Sequence, residues 1–151
     1  MECWSPDELP NLSFSHIWSA SPTFVIPWLL GGVRPLSPGY AKLEIKPQPG
    51  PLTRFDLTMP TVKGPVHSNV SQTFGHGGRL THFKLQATVP GNAVAVLHVP
   101  RSADANGAAE PCVLLNGRRS RAEYSEGGAH MFVTVASGAH TVEWCTPRDL
   151  A

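Results

Sequence analysis

Arg79-Leu80-Thr81-His82-Phe83-Lys84-Leu85-Gln86-Ala87-Thr88-Val89 alternates without a break. Phe83, Leu85, Ala87 and Val89 fall on one side, and His82, Lys84, Gln86 and Thr88 on the other. Side chains of a strand point alternately to opposite faces, so this is a strand with one buried and one wetted face. Working outward, Pro90-Gly91-Asn92 turns the chain into a second apolar run, Ala93–Val99. Upstream, Lys42–Lys46 alternates polar and apolar, and Phe55, Leu57 and Met59 share a face before Pro60. Downstream, Cys112–Leu115 ends at Asn116-Gly117, a strong two-residue hairpin signal.

Near the C-terminus, Met131, Val133 and Val135 form one apolar set, and Val142 and Trp144 another. Read as a hairpin, a two-residue loop at Gly138-Ala139 pairs Val135 with Val142 and Val133 with Trp144. A three-residue loop would mix the faces, and a slip of one residue exposes the whole apolar set, so the two-residue loop is the expectation. Glycine first in that loop suits a type II′ turn. Six or seven short strands separated by turns predict a mainly β fold, an antiparallel β-sandwich.

The composition agrees. The 151 residues include 15 prolines and 14 glycines, too many for a helical bundle, because each interior proline removes a donor and clashes with the preceding turn. Twelve basic against 11 acidic residues leave a net charge of +1, which gives no electrostatic footprint for nucleic acid or an anionic membrane. The longest strongly apolar run, Phe24–Leu30, is far short of the ~20 residues that span a bilayer, and no signal peptide is visible. Cys3, Cys112 and Cys145 are odd in number and widely spaced, which implies free thiols. The sequence therefore implies no cofactor and no metal: His76 and His82 lack a third ligand at a fixed offset. Arg118, Arg119 and Arg121 follow the Asn116-Gly117 turn as a solvated tip or, alternatively, an anion contact. Asn11-Leu12-Ser13 and Asn69-Val70-Ser71 are glycosylation sequons.

The first quarter differs from the rest. Residues 1–40 hold six of the 12 aromatics (Trp4, Phe14, Trp18, Phe24, Trp28 and Tyr40) but only four charges, against 19 charges in residues 41–151. Ser21-Pro22 marks a helix start, Thr23–Leu30 is apolar on every face, and Gly31-Gly32 stops it. Such a helix requires burial all round, so either self-association or folding back onto the sandwich is expected, with a kink at Pro27. Arg34–Gly39 reads as a proline-set linker. Further upstream, Glu2, Trp4, His16 and Trp18 are the residue types of a sugar site, since rings cover the apolar faces of a pyranose and a carboxylate activates water. The same aromatics would serve equally to pack against neighbours outside these residues.

Glu2-Cys3-Trp4, Ser13-Phe14-Ser15-His16-Ile17-Trp18-Ser19-Ala20-Ser21-Pro22, Gly32–Tyr40 and Ile45–Gly50, in that order, resemble the C-terminal part of α-L-rhamnosidases, glycoside hydrolase family seventy-eight. Pro60–Val66, Val89–Asn92 and Ser137–His140 resemble the closing sandwich of that family. The resemblance implies that residues 1–40 are the last loop and helix of an (α/α)6 barrel plus a linker, and that residues 41–151 are the C-terminal β-sandwich. It implies inverting hydrolysis of terminal α-L-rhamnose, with Glu2 matching the general base and His16 and Trp4 the rhamnose contacts. The general acid of the family lies upstream, in the barrel. Inversion needs two carboxylates roughly 6.5–9.5 Å apart, so the chain is expected to be a hydrolase fragment inactive by itself. The alternative is a non-catalytic accessory or interaction module derived from such an enzyme. The partners implied are a rhamnoside sugar and either a barrel-bearing chain or a second copy, with no nucleic acid and no membrane. The compartment is not fixed by the sequence, although members of the family are often secreted.

Overall fold

A computed structural model describes residues 20–101 and 112–144. Its eleven strands among these residues are β1 (Val33–Pro35), β2 (Lys42–Ile45), β3 (Arg54–Thr61), β4 (Gly64–Phe74), β5 (Leu80–Val89), β6 (Val94–Pro100), β7 (Cys112–Leu115), β8 (Arg118–Arg121), β9 (Glu123–Tyr124), β10 (His130–Val135) and β11 (Gly138–Trp144). They form two sheets, one ordered β1-β2-β6-β10-β9 and the other β3-β4-β5-β11-β7-β8. The fold is mainly β, as the alternation in β5 predicts. Phe83, Leu85, Ala87 and Val89 are buried, in one core with Leu43, Ile45, Leu97, Val99 and Met131 of the other sheet. A single pairing breaks the antiparallel rule: β2 runs parallel to β6, with Leu43 beside Ala95 and Ile45 beside Leu97.

The expected C-terminal hairpin does not exist. β10 pairs with β6 and β9, whereas β11 pairs with β5 and β7 in the other sheet. Ala136 and Ser137 carry the chain from one sheet to the other. Val133 and Trp144 therefore meet the same core from opposite layers rather than side by side in one ladder. The indole Nε1–H of Trp144 donates to the Pro100 carbonyl at 2.7 Å, which ties β11 to the end of β6. Alternation fixes which face is apolar, and that constraint is met by an arch between layers as well as by a hairpin.

Three strands, β1, β4 and the two-residue β9, were not anticipated. β1 forms within the segment read as a linker: Val33 is fully buried and sits opposite Ile45. The hairpin expected at Asn116-Gly117 does form: β8 pairs back on β7 through that turn, whose positive φ values of 52° and 75° are those of a type I′ hairpin. β4, eleven residues long, pairs with both β3 and β5. Its inward positions are Val66, Ser68, Val70 and Gln72. The Gln72 amide is paired despite its burial, donating to the carbonyls of Gly50 and Leu52 at 2.7 Å each, so it clamps the preceding proline-rich loop.

Candidate functional site

Glu2, Trp4 and His16, the residues the resemblance assigns to catalysis and rhamnose binding, lie outside the described residues. The described chain starts at Ala20, four positions after His16. Its first element is α1 (Pro22–Val25), which runs into a wider π-type turn at Ile26–Leu30. Pro27 explains the widening. It has no N–H to give to Thr23, so the chain opens until the Gly31 N–H reaches the Ile26 carbonyl at 2.8 Å. Ser21 opens the helix without a side-chain cap; its carbonyl instead accepts from the N–H groups of Phe24 and Val25. Gly32 then reverses the chain at φ 64°, and a Cβ there would overlap the Lys46 carbonyl. Lys46 N–H donates to Gly32 O at 3.0 Å, stitching the end of the turn to the sandwich.

Only the end of this turn is covered. Gly31 lies against Leu57 and Phe55 of β3. Phe24, Ile26 and Leu29 remain 59%, 45% and 54% exposed, with the Phe24 and Trp28 rings 5.1 Å apart. From Ala20 to Val33 there is no charged residue. Folding back onto the sandwich therefore accounts for Gly31 and Gly32 but not for the apolar face of α1.

Two polar clusters occupy the outer faces of the sheets. On the first sheet, Arg34 of β1 bonds Glu44 of β2 at 2.7 Å, and the other Glu44 oxygen is 3.4 Å from His98 Nε2 of β6. Phe132 flanks His98 with ring centroids 5.4 Å apart, and His130 stands edge-on at 6.3 Å. Burial, followed by the positive charge of Lys46, the His130 ring and Arg34, lowers the pKa of His98 to about 4. Burial and Lys46 lower that of His130 as well. Both imidazoles are thus neutral at pH 7, and Glu44 is committed to Arg34. The cluster is a structural bracket joining β1, β2 and β6, with no free carboxylate for acid–base work. On the second sheet, Asp56, His67, Asn69, Gln86, Thr88 and Thr141 line a shallow depression of about 510 Å³.

The remaining residues singled out from the sequence are dispersed. His76 lies in a short turn before β5 and His82 on β5 itself. Among the described residues no three His, Cys, Asp or Glu side chains gather closely enough to hold a metal ion. Arg118, Arg119 and Arg121 are exposed on the edge strand β8.

Residues 32–111, more than half of the chain, match the family described as the bacterial alpha-L-rhamnosidase C-terminal domain. The chain belongs to this family. Solved rhamnosidases share the fold. The alpha-L-rhamnosidase of Dictyoglumus thermophilum is 24% identical with a TM-score of 0.67, over 85% of this chain and 14% of that one. The Streptomyces avermitilis alpha-L-rhamnosidase complexed with L-rhamnose is 25% identical with a TM-score of 0.68, over 94% and 13%. The Aspergillus terreus enzyme is 22% identical with a TM-score of 0.60, over 87% and 12%. The chain thus spans roughly one-eighth of the length of these enzymes. A search of curated proteins gives no match. For a rhamnosidase C-terminal domain the matched segment begins at Gly32, the glycine that joins the apolar turn to β1, and Glu2, Trp4 and His16 all precede it. The bracket around His98 went unnoticed in the sequence because its members come from β1, β2, β6 and β10, and only the parallel β2–β6 pairing brings Glu44 to His98.

Proposed function

We propose that this rhamnosidase-derived domain closes an inverting α-L-rhamnosidase and is inactive by itself. On this reading the loop and helix that precede β1, within residues 1–40, complete an (α/α)6 barrel, while β1 itself belongs to the sandwich. Glu2 is the general base that activates water, His16 and Trp4 contact the terminal rhamnose, and the general acid comes from the rest of the barrel. The observation that carries the reading is the family match on residues 32–111, set directly beside an uncharged apolar turn that the sandwich leaves exposed. Burying Phe24, Ile26 and Leu29 against a partner surface would stabilise the assembly by about 1.5–3 kcal/mol for each side chain fully covered. Loss of one catalytic carboxylate lowers rates by about 10²–10⁴-fold, so a domain holding only the base has no means to protonate the leaving oxygen.

The test is rhamnose release from an aryl α-L-rhamnoside. The 151-residue chain alone should release none, and addition of a barrel-bearing rhamnosidase chain should restore release that Glu2→Gln abolishes. Hydrolysis by the isolated chain at an enzymatic rate would overturn the reading. A second reading, a non-catalytic interaction module, draws on the completeness of the core, which β1–β11 fill from residues 33–144. Calorimetry with L-rhamnose separates the two: binding that disappears in His16→Ala supports the catalytic reading, and its absence with a barrel chain present supports the module.

A further inference from the structure

We propose that Cys112 and Cys145 form a disulfide that fastens the last strand of the sandwich to β7, a redox-responsive site independent of the rhamnose contacts assigned to His16 and Trp4. Their wide spacing in sequence implies free thiols, but strand register brings the two positions together. Along β11 and β7, Val142 stands opposite Leu115, Glu143 opposite Leu114 and Trp144 opposite Val113. Cys145 follows Trp144, just past the described residues, and Cys112 precedes Val113 at the start of β7. One further step of the same ladder therefore sets Cys145 directly opposite Cys112. Val113 and Trp144 both belong to the core, so by alternation the two cysteine positions fall on the outer face of the sheet.

The ladder geometry suits the bond. The Asn116 N–H donates to the Thr141 carbonyl at 2.8 Å, which makes that pair a hydrogen-bonded one. Hydrogen-bonded and non-hydrogen-bonded pairs alternate along an antiparallel ladder. Leu114 with Glu143, and then Cys112 with Cys145, are therefore hydrogen-bonded pairs, whose Cα atoms lie about 5.5 Å apart. A disulfide bridges Cα atoms roughly 4.4–6.8 Å apart, most often about 5.5–6 Å. Arg121 of β8 stands on the other side of Cys112, and a neighbouring cation favours the thiolate that begins the exchange. One cysteine thiolate attacks a small-molecule disulfide such as oxidised glutathione and releases one thiol. The second cysteine then displaces the glutathione held in the mixed disulfide. The protein gives up two protons and two electrons, and the oxidant leaves as two molecules of the thiol. The new bond closes a loop that carries β8 of the second sheet and β9 and β10 of the first. Closing it restricts the unfolded chain and raises the folding equilibrium constant by about 10²–10³-fold.

Thiol counting, peptide mapping and urea unfolding of the full-length Cys3→Ser variant, equilibrated with oxidised glutathione or with excess dithiothreitol, test the assignment. Three results are expected after oxidation: no free thiol in urea, a cross-linked peptide joining Cys112 to Cys145 within one chain, and an unfolding constant about 10²–10³-fold smaller than in the reduced protein. Reduction should restore both thiols and return the urea midpoint to that of Cys3→Ser/Cys112→Ser, which the oxidant leaves unmoved. Two thiols persisting in the oxidised variant, glutathione attached to either cysteine in place of the internal link, or a link only between chains would overturn it. So would an internal link that leaves the unfolding constant unchanged, or preferential linkage of Cys3 to either partner in the wild-type chain.

Discussion

Two apolar stretches of this chain have similar side chains and opposite fates. Phe83, Leu85 and Leu97 of the sandwich are at most 1% exposed, whereas Phe24, Ile26 and Leu29 of the preceding turn are about half exposed. The hydrophobic driving force is proportional to area removed from water, and it has been realised within the chain only for the first set. Strands β1–β11 supply each other with partners through two layers. The turn is tied down only at its end, where Gly31 lies against Phe55 and Leu57 and the N–H groups of Gln48 and Lys46 donate to the carbonyls of Leu30 and Gly32, and it presents Phe24, Ile26 and Leu29 outward. The sandwich fills its core from its own strands, and on the proposed reading the turn is one half of an interface.

The largest expected effect tests that asymmetry directly. Phe83→Ala or Leu85→Ala should cost about 3–5 kcal/mol in urea unfolding, whereas Phe24→Ala should stay within about 0.5 kcal/mol. Equal losses at both places would erase the distinction. The junction comes next. Gly32→Ala forces a left-handed backbone on alanine and drives its Cβ into the Lys46 carbonyl, with a cost of about 3 kcal/mol in the same measurement.

A smaller effect lies in the pH dependence of the sandwich. His98 takes up a proton with a pKa of about 4 when folded, against 6.5 when unfolded. Between those values the unfolded chain binds more protons, so the stability is complete above pH 6.5 and falls as the pH drops toward 4. The loss should be about 2 kcal/mol after allowing for solvent screening, with His130 adding in the same direction. Unfolding at a series of pH values, compared with His98→Gln, measures it; an unchanged slope in the variant would remove His98 as the cause. The smallest effect belongs to Trp144→Phe. It keeps most of the packing but strips the Pro100 carbonyl of its donor, for a loss of about 1 kcal/mol readable as a lower urea midpoint.

How much of this could be read in advance depended on whether a signal was local. β5 was legible because Phe83, Leu85, Ala87 and Val89 are all apolar and all inward. β4 was not, because its inward set includes Ser68 and Gln72, and Gln72 is acceptable in the core only through carbonyls about twenty residues away. The arch from β10 to β11 was misread as a hairpin because alternation does not say whether two apolar faces lie in one layer or in two. Glu2, Trp4 and His16 were singled out by residue type and given roles only through resemblance, and they fall outside the described residues. The juxtaposition proposed for Cys112 and Cys145 has no sequence signal, since it exists only once β7 and β11 are in register.

Sedimentation velocity combined with urea unfolding of Phe24→Ser/Ile26→Ser/Leu29→Ser is the most direct test of the division between a complete sandwich and an unpartnered turn. The wild-type chain alone should self-associate through its apolar turn, and the triple variant should sediment as a monomer with a urea midpoint shifted by no more than about 0.5 kcal/mol in equivalent stability. A monomeric wild-type chain, or a triple variant that unfolds several kcal/mol more easily, would show that the turn is part of the core and contradict the account.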